Sequence, residues 1–203
     1  MNEYRNDIIE YYNRVAEIYK KERNELVEFA DIYKRFIKYL TTGCKILDFG
    51  CGSGRDSLYF KKCGYEVIAL DGSPKMCEIT RDLCNIEVKE MFFEDFIEKD
   101  TYDGIWACAS LLHLPREVLI KVLSNLSVSL KDNGYMYTTF KYGTFEGIRH
   151  ERYFIDFTFE TFRELIAEIP ELEIIEEFES NSSIKDQNNK RWANFVLKKK
   201  NIS

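Results

Sequence analysis

Long apolar runs are missing from this sequence. None approaches the roughly 18 residues that a bilayer-spanning helix needs, and the opening MNEYRNDIIE is too polar for a signal peptide. A cytoplasmic protein with no membrane partner is therefore expected. Also missing is any C-x-x-C pair. The six cysteines (44, 51, 63, 77, 84 and 108) are scattered, and His113 and His150 lie far from any cysteine cluster. Zinc sites need tighter ligand pairs, so no metal is expected and the thiols read as reduced groups in a core. A basic excess is absent as well. With a formal net charge of −6, the chain does not look built to hold nucleic acid mainly by neutralising phosphates. The KKK near its end reads as a solubilising tail.

What is present is a chain of 203 residues, 45% hydrophobic and 15% aromatic, enough for one domain with a real core. No glycine or proline occurs before Gly43. Over residues 1–40, Ile8, Tyr12, Val15 and Tyr19, then Leu26, Ala30, Tyr33, Ile37 and Leu40, recur at helical spacing. Strands and helices then alternate. Strands are expected at 45–49, 65–70, 86–93, 102–109 and 135–140, and helices at 55–63, 74–83 and 115–131. Ser73 caps the second helix with Pro74 at its first position, and Asn133-Gly134 stops the third. A polar loop at 141–152, a helix at 158–169 and a hairpin-like strand pair at 172–178 and 192–198 close the chain. This pattern predicts a doubly wound α/β sheet covered on both faces, with ligands at the carboxyl ends of its strands.

The first strand runs into LDFGCGSGRD, residues 47–56, with Gly50, Gly52 and Gly54 at alternate positions. A dinucleotide loop requires G-x-G-x-x-G and a phosphate loop G-x-x-x-x-G-K-[ST]. Neither fits, because Arg55 stands where the third dinucleotide glycine belongs and no G-K-[ST] follows. An acid, Asp48, precedes the turn instead, which favours a ligand with a cationic end. Backbone without Cβ atoms lets such a ligand approach closely. Asp71 ends the second strand about 20 residues on, where an acid meets ribose hydroxyls.

With these residues in this order, followed by YDGIWACASLLHLP, the sequence resembles the class I S-adenosylmethionine-dependent methyltransferases over residues 40 to 140. GCGSGRDSLYF is similar to the tellurite-resistance-type and related small bacterial members. The resemblance implies a Rossmann-like, seven-stranded, mostly parallel sheet with an antiparallel last strand and S-adenosylmethionine as cofactor. It implies that Cys51, Arg55, Gly72, Ser73, Met76, Ala107 and Cys108 border the cofactor together with the loop glycines. Many members place an acid at the end of the third strand for the adenine amino group. Here Phe92-Phe93 stand there, with Glu94 and Asp95 beyond, which implies adenine held by aromatic packing and backbone. In similar enzymes a segment such as residues 1–40, with Tyr12 and Tyr19 on one helical face, covers the cofactor; core packing is the other reading of that pair.

In-line methyl transfer needs proximity, orientation and exclusion of water, plus at most a group to deprotonate the acceptor. His113, after the fourth strand, is a candidate base, and Lys141 a second catalytic candidate. The segment FKYGTFEGIRHERYF (140–154) resembles a run in small uncharacterised methyltransferases and gathers Lys141, Glu146, Arg149, Arg152 and Tyr153. Its cations suit a small anionic acceptor, and Trp192 and Asn194 are candidate neighbours. Two further readings stay open. One is a wobble-uridine tRNA methyltransferase, which the closing strands resemble distantly. The other is a non-catalytic cofactor-binding subunit.

Overall fold

The computed structural model describes residues 3–22, 29–181 and 191–201. Leu26 of the expected helical face and residues 182–190, between the two closing strands, lie outside the described residues. The N-terminal region holds two helices, α1 (Glu3–Glu22) and α2 (Ala30–Ile37).

The alternation that follows is β1 (Lys45–Phe49), α3 (Arg55–Lys62), β2 (Glu66–Asp71), α4 (Pro74–Cys84), β3 (Glu87–Glu90), β4 (Tyr102–Ala107) and α5 (Arg116–Ser129). Next come β5 (Leu130–Lys141), β6 (Glu146–Arg149), β7 (Arg152–Ile155), α6 (Phe159–Ile166), β8 (Leu172–Asn181) and β9 (Arg191–Lys199). Local chemistry explains the boundaries. The Ser73 hydroxyl accepts the Met76 N–H ahead of Pro74 and starts α4, which Asn85 ends in the left-handed region. Thr158 and Thr161 form a capping box at the start of α6.

Seven strands form one sheet in the order β3-β2-β1-β4-β5-β9-β8. All pairings from β3 to β5 are parallel, and β9 runs antiparallel to both its neighbours. The last strand is therefore the reversed one, as the resemblance implied. Strands buried on both faces need helices on both. Tyr33 and Phe36 of α2 and Phe60 of α3 pack on Ile46, Val67, Trp106 and Tyr137 on one face, where Cys77 of α4 meets Ala69. Leu119, Leu123 and Leu126 of α5 and Phe162 of α6 cover Leu47, Ile105, Met136 and Phe195 on the other. α1 rests on α4 through Ala16 against Met76 and Ile79. Among the described residues no helix is long and apolar enough to cross a membrane, and all six thiols are free.

Three expectations need correction. The segment 141–152 is not simply a loop, because most of it enters the separate antiparallel hairpin β6–β7, with Arg149 paired to Arg152. The third strand ends at Glu90, so Phe93 lies in a short 3-10 turn rather than in the sheet. Asn133-Gly134 does not end α5, which stops at Ser129. It sits inside β5, where the Asn133 φ of 59° and a register shift mark a bulge.

Candidate active site

The site is built on the carboxyl ends of β1, β2 and β4. After β1 the chain turns through Gly50 (φ +86°) and Gly52 (φ +53°). Gly50 and Cys51 N–H both bond to Leu70 O, at 2.8 and 3.0 Å, tying the loop to β2. The Gly52 N–H donates to Asp71 Oδ2 and the Ser73 N–H to Asp71 Oδ1, each at 2.9 Å. Asp71 thus joins the two loops. Burial raises its pKa, and the N–H groups of Ser73, Gly52 and Gly72 oppose that. The Thr80 hydroxyl of α4 holds Gly52 O at 2.8 Å, and Gly54 closes the turn by donating to Cys51 O at 3.0 Å.

Other expected loop residues face elsewhere. Asp48 does not meet the cleft: it is 2% exposed and accepts the Ser57 hydroxyl at 2.6 Å beneath the loop. Arg55 lies over the Phe29 ring and pairs with Asp56. Cys51 and Met76 are buried, Cys51 beside Thr80. Ala107 belongs to the α5-side core and Cys108 packs beside the Trp106 cluster. At the end of β4 the residue that reaches the glycine loop is Ser110, which sequence reasoning missed. A Cβ built on Gly50 would lie 2.3 Å from Ser110 Cβ. The Ser110 hydroxyl is buried with no hydrogen-bond partner among the described residues.

α1 crosses the top of these loops. Ile9 lies against Gly72, and Asn13 Oδ1 accepts the Ser73 hydroxyl at 2.7 Å. The Arg5 guanidinium stacks 3.9 Å above the Phe92 ring and pairs with Asp95 at 3.0 Å. A small recess of about 150 Å³ lies there, lined by Arg5, Asn6, Phe92 and Asp95. Phe93 turns inward onto Phe49. A larger groove of about 600 Å³ runs between α6 and β8, but none of the expected site residues lines it.

Tyr12 and Tyr19 do meet, ring edge to ring face at 5.8 Å. Tyr12 OH and His113 Nε2 are 2.7 Å apart, and His113 Nδ1 lies 2.8 Å from Tyr153 O. A carbonyl only accepts, so Nδ1 carries the hydrogen and the Tyr12 hydroxyl donates to Nε2. Burial pushes the His113 pKa down to about 3, the Tyr153 carbonyl opposes, and the Arg152 and Lys141 charges add to the fall. Its imidazole is neutral with both nitrogens occupied, so this arrangement leaves His113 no free lone pair for an acceptor's proton.

The β6–β7 hairpin faces α1. Arg14 pairs with Glu151 at 2.6 Å, and Arg152 Nη1 donates to Tyr12 OH at 3.2 Å while stacking 4.0 Å from the Tyr11 ring. Phe154, missed from sequence, is the hub. Its buried ring has Lys141 Nζ at 4.1 Å, with the guanidinium carbons of Arg149 and Arg152 at 5.1 Å each and His113 at 4.6 Å. Arg149 is neutralised by Asp156 at 2.7 Å. Arg152 has no carboxylate within ion-pair distance among the described residues. Tyr153 instead points outward and bonds Glu146. Trp192 pairs with Lys141 in the sheet, and the Asn194 side chain is buried and accepts the Tyr137 hydroxyl at 2.6 Å.

This fold is that of the class I methyltransferases, and the comparisons agree. The family described as a methyltransferase domain matches residues 46–134, and the chain resembles the class I S-adenosylmethionine-dependent methyltransferases. Within that class it is similar to the probable S-adenosyl-L-methionine-dependent methyltransferase TehB of Haemophilus influenzae, 25% identical over 130 residues. That match covers 62% of this chain but 45% of TehB, so the chain spans about half the length of that relative. Among solved folds, the 1,6-didemethyltoxoflavin-N1-methyltransferase of Burkholderia thailandensis has a TM-score of 0.81 at 15% identity, over 98% of this chain and 90% of that one. A TehB-like enzyme of Corynebacterium glutamicum has a TM-score of 0.69 at 21% identity, over 95% and 98%.

The residues present fit S-adenosylmethionine, the cofactor of this class. Gly52 has open space where a Cβ would stand, Asp71 offers a carboxylate at the loop, and the Ser110 hydroxyl is an orphan at the same place.

Proposed function

We propose that this chain transfers a methyl group from S-adenosylmethionine, by in-line displacement, to a small acceptor carrying an anionic group. The acceptor sits between α1 and the β6–β7 hairpin. The observation that carries this reading is the gathering of three cations, Lys141, Arg149 and Arg152, around the Phe154 ring, with no carboxylate in ion-pair distance of Arg152 among the described residues. Like charges brought together under a helix repel unless an anion joins them. Arg152, which no carboxylate of the described residues pairs with, takes the anionic group.

The bound cofactor supplies a methyl group already activated on a sulfonium. The protein holds and shields it. The glycine loop and Asp71 seat the amino-acid and ribose parts, Phe92 and Arg5 flank the adenine, and α1 excludes water. His113 anchors Tyr12, and through it the lid, instead of acting as base. The cluster's position beneath α1 supports a small acceptor over a tRNA.

Calorimetry with S-adenosylhomocysteine tests the first half. Asp71→Ala removes the acceptor of the Gly52 and Ser73 N–H groups as well as the ribose partner, and cofactor affinity is expected to fall by about a hundredfold. Unchanged affinity would remove Asp71 from the site. Incubating cell extract with methyl-tritiated cofactor tests the second half. Label is expected in the anionic small-molecule fraction, and label confined to tRNA would overturn the acceptor assignment.

A further inference from the structure

The cation cluster contains one group that anion binding alone does not use. Residues 152, 154 and 156 alternate along β7 and its extension, so they share a face. Asp156 Oδ2 accepts the Arg149 Nη2 hydrogen at 2.7 Å. Its Oδ1 is buried and takes no hydrogen bond among the described residues, although the residue is only 9% exposed. Arg152 Nε, at the other end of that face, is likewise buried without a bond. Phe154 lies between them.

A buried polar atom left unpaired costs about 1–3 kcal/mol, more when charged. Such buried atoms call for an explanation, and a bond made only to the ligand is one. The two orphans have opposite chemistry, since guanidinium nitrogen only donates and an ionised carboxylate only accepts. Extended backbone sets their Cα atoms about 13 Å apart. A ligand spanning the Phe154 ring between them has an acceptor end and a donor end.

Building on the anionic-acceptor reading above, we infer that the methyl acceptor carries a hydroxyl or amino group besides its anionic group, and that Asp156 Oδ1 receives that donor. Asp156 is then a specificity-determining residue. Arg149, by holding Oδ2, keeps the carboxylate turned so that Oδ1 faces the ligand. The same carboxylate repels an acceptor with anionic groups at both ends, so the site selects a hydroxy or amino acid over a diacid.

The test is calorimetric titration of the S-adenosylhomocysteine-saturated protein with benzoate, 4-hydroxybenzoate, 4-aminobenzoate and 4-methoxybenzoate. The hydroxy and amino compounds are expected to bind about tenfold more tightly than benzoate, and the methoxy compound no more tightly than benzoate. In Asp156→Asn, Arg149 keeps the amide oxygen and the ligand meets an N–H₂ donor. The tenfold advantage should vanish while benzoate affinity persists. If benzoate and 4-hydroxybenzoate bind wild type equally well, the inference is overturned and the anionic reading stands. If no carboxylate binds at all, both fall. The wild-type comparison decides even if Asp156→Asn proves unstable.

Discussion

Gly52→Ala is expected to leave the fold nearly intact while weakening cofactor binding by about a hundredfold or more, about 2.7 kcal/mol. Gly50→Ala, two residues away, is expected to lose stability first. The difference follows from what a methyl group meets. At Gly52 nothing lies within 4 Å of a built Cβ, and φ is +53°. Alanine there carries only the left-handed backbone cost of about 1–2 kcal/mol, and its methyl projects into the open space that the proposed cofactor seat uses. At Gly50, φ is +86° and the built Cβ stands 2.3 Å from Ser110 Cβ and 3.1 Å from the Phe93 ring. Overpacking of about 1–3 kcal/mol adds to the backbone cost. The sum is a sizeable share of the about 5–15 kcal/mol that holds a typical domain folded. Urea denaturation and calorimetry with S-adenosylhomocysteine on both variants separate the two effects. Wild-type affinity in a folded Gly52→Ala would mean that the loop is not the cradle.

That pair also marks how far the sequence could be read. The loop was legible because alternate glycines between a strand and a helix are a local signal, and Asp71 followed from its spacing to the loop. The number of strands and the reversed last strand came from resemblance, not from periodicity. The β6–β7 hairpin was hidden for a physical reason. A two-residue hairpin turn with positive φ at both central positions, the type I′ form, usually announces itself as Asn-Gly. Here His150 (φ 50°) and Glu151 (φ 62°) occupy them, so the segment read as a charged loop. Once Arg152 to Ile155 is known to be a strand, alternation puts Arg152, Phe154 and Asp156 on one face, a signal available from RYFID had the turn been recognised. No local pattern could bring Tyr12 to His113, because 101 residues separate them. Asp48 misled for another reason: an acid before the turn reads as a ligand partner, but its strand position turns it inward to Ser57.

Asp56→Ala is expected to cost about 3–5 kcal/mol and to leave much of the chain unfolded, because it strips a buried carboxylate from every partner at once. Asp56 accepts Arg55 Nε at 2.6 Å, Trp106 Nε1 at 2.8 Å and the Tyr33 hydroxyl. These tie the start of α3 to α2 and β4 directly below the glycine loop. Burial alone would raise the Asp56 pKa. The Arg55 charge and the bonds from Arg55, Tyr33 and Trp106 outweigh it and hold the pKa below the usual carboxylate range. Its contribution is therefore present above about pH 4, the unfolded value, and is lost as pH falls toward the folded value. Asp48 behaves oppositely. Burial, then repulsion from Asp56, pushes its pKa up to about 8, against the Ser57 bond. Between about pH 4 and that value the folded chain holds a proton that the unfolded chain has released, so stability declines as pH rises. Asn mimics the protonated acid and cannot lose that proton. Asp48→Asn should thus come close to wild type near pH 4 and exceed it at pH 8, whereas Asp56→Ala should be less stable at both. Urea midpoints of the three proteins at the two pH values measure this. A wild-type midpoint that does not fall between them would mean that Asp48 is ionised in the folded protein, and the two carboxylates beneath the loop would then need a cation beyond Arg55.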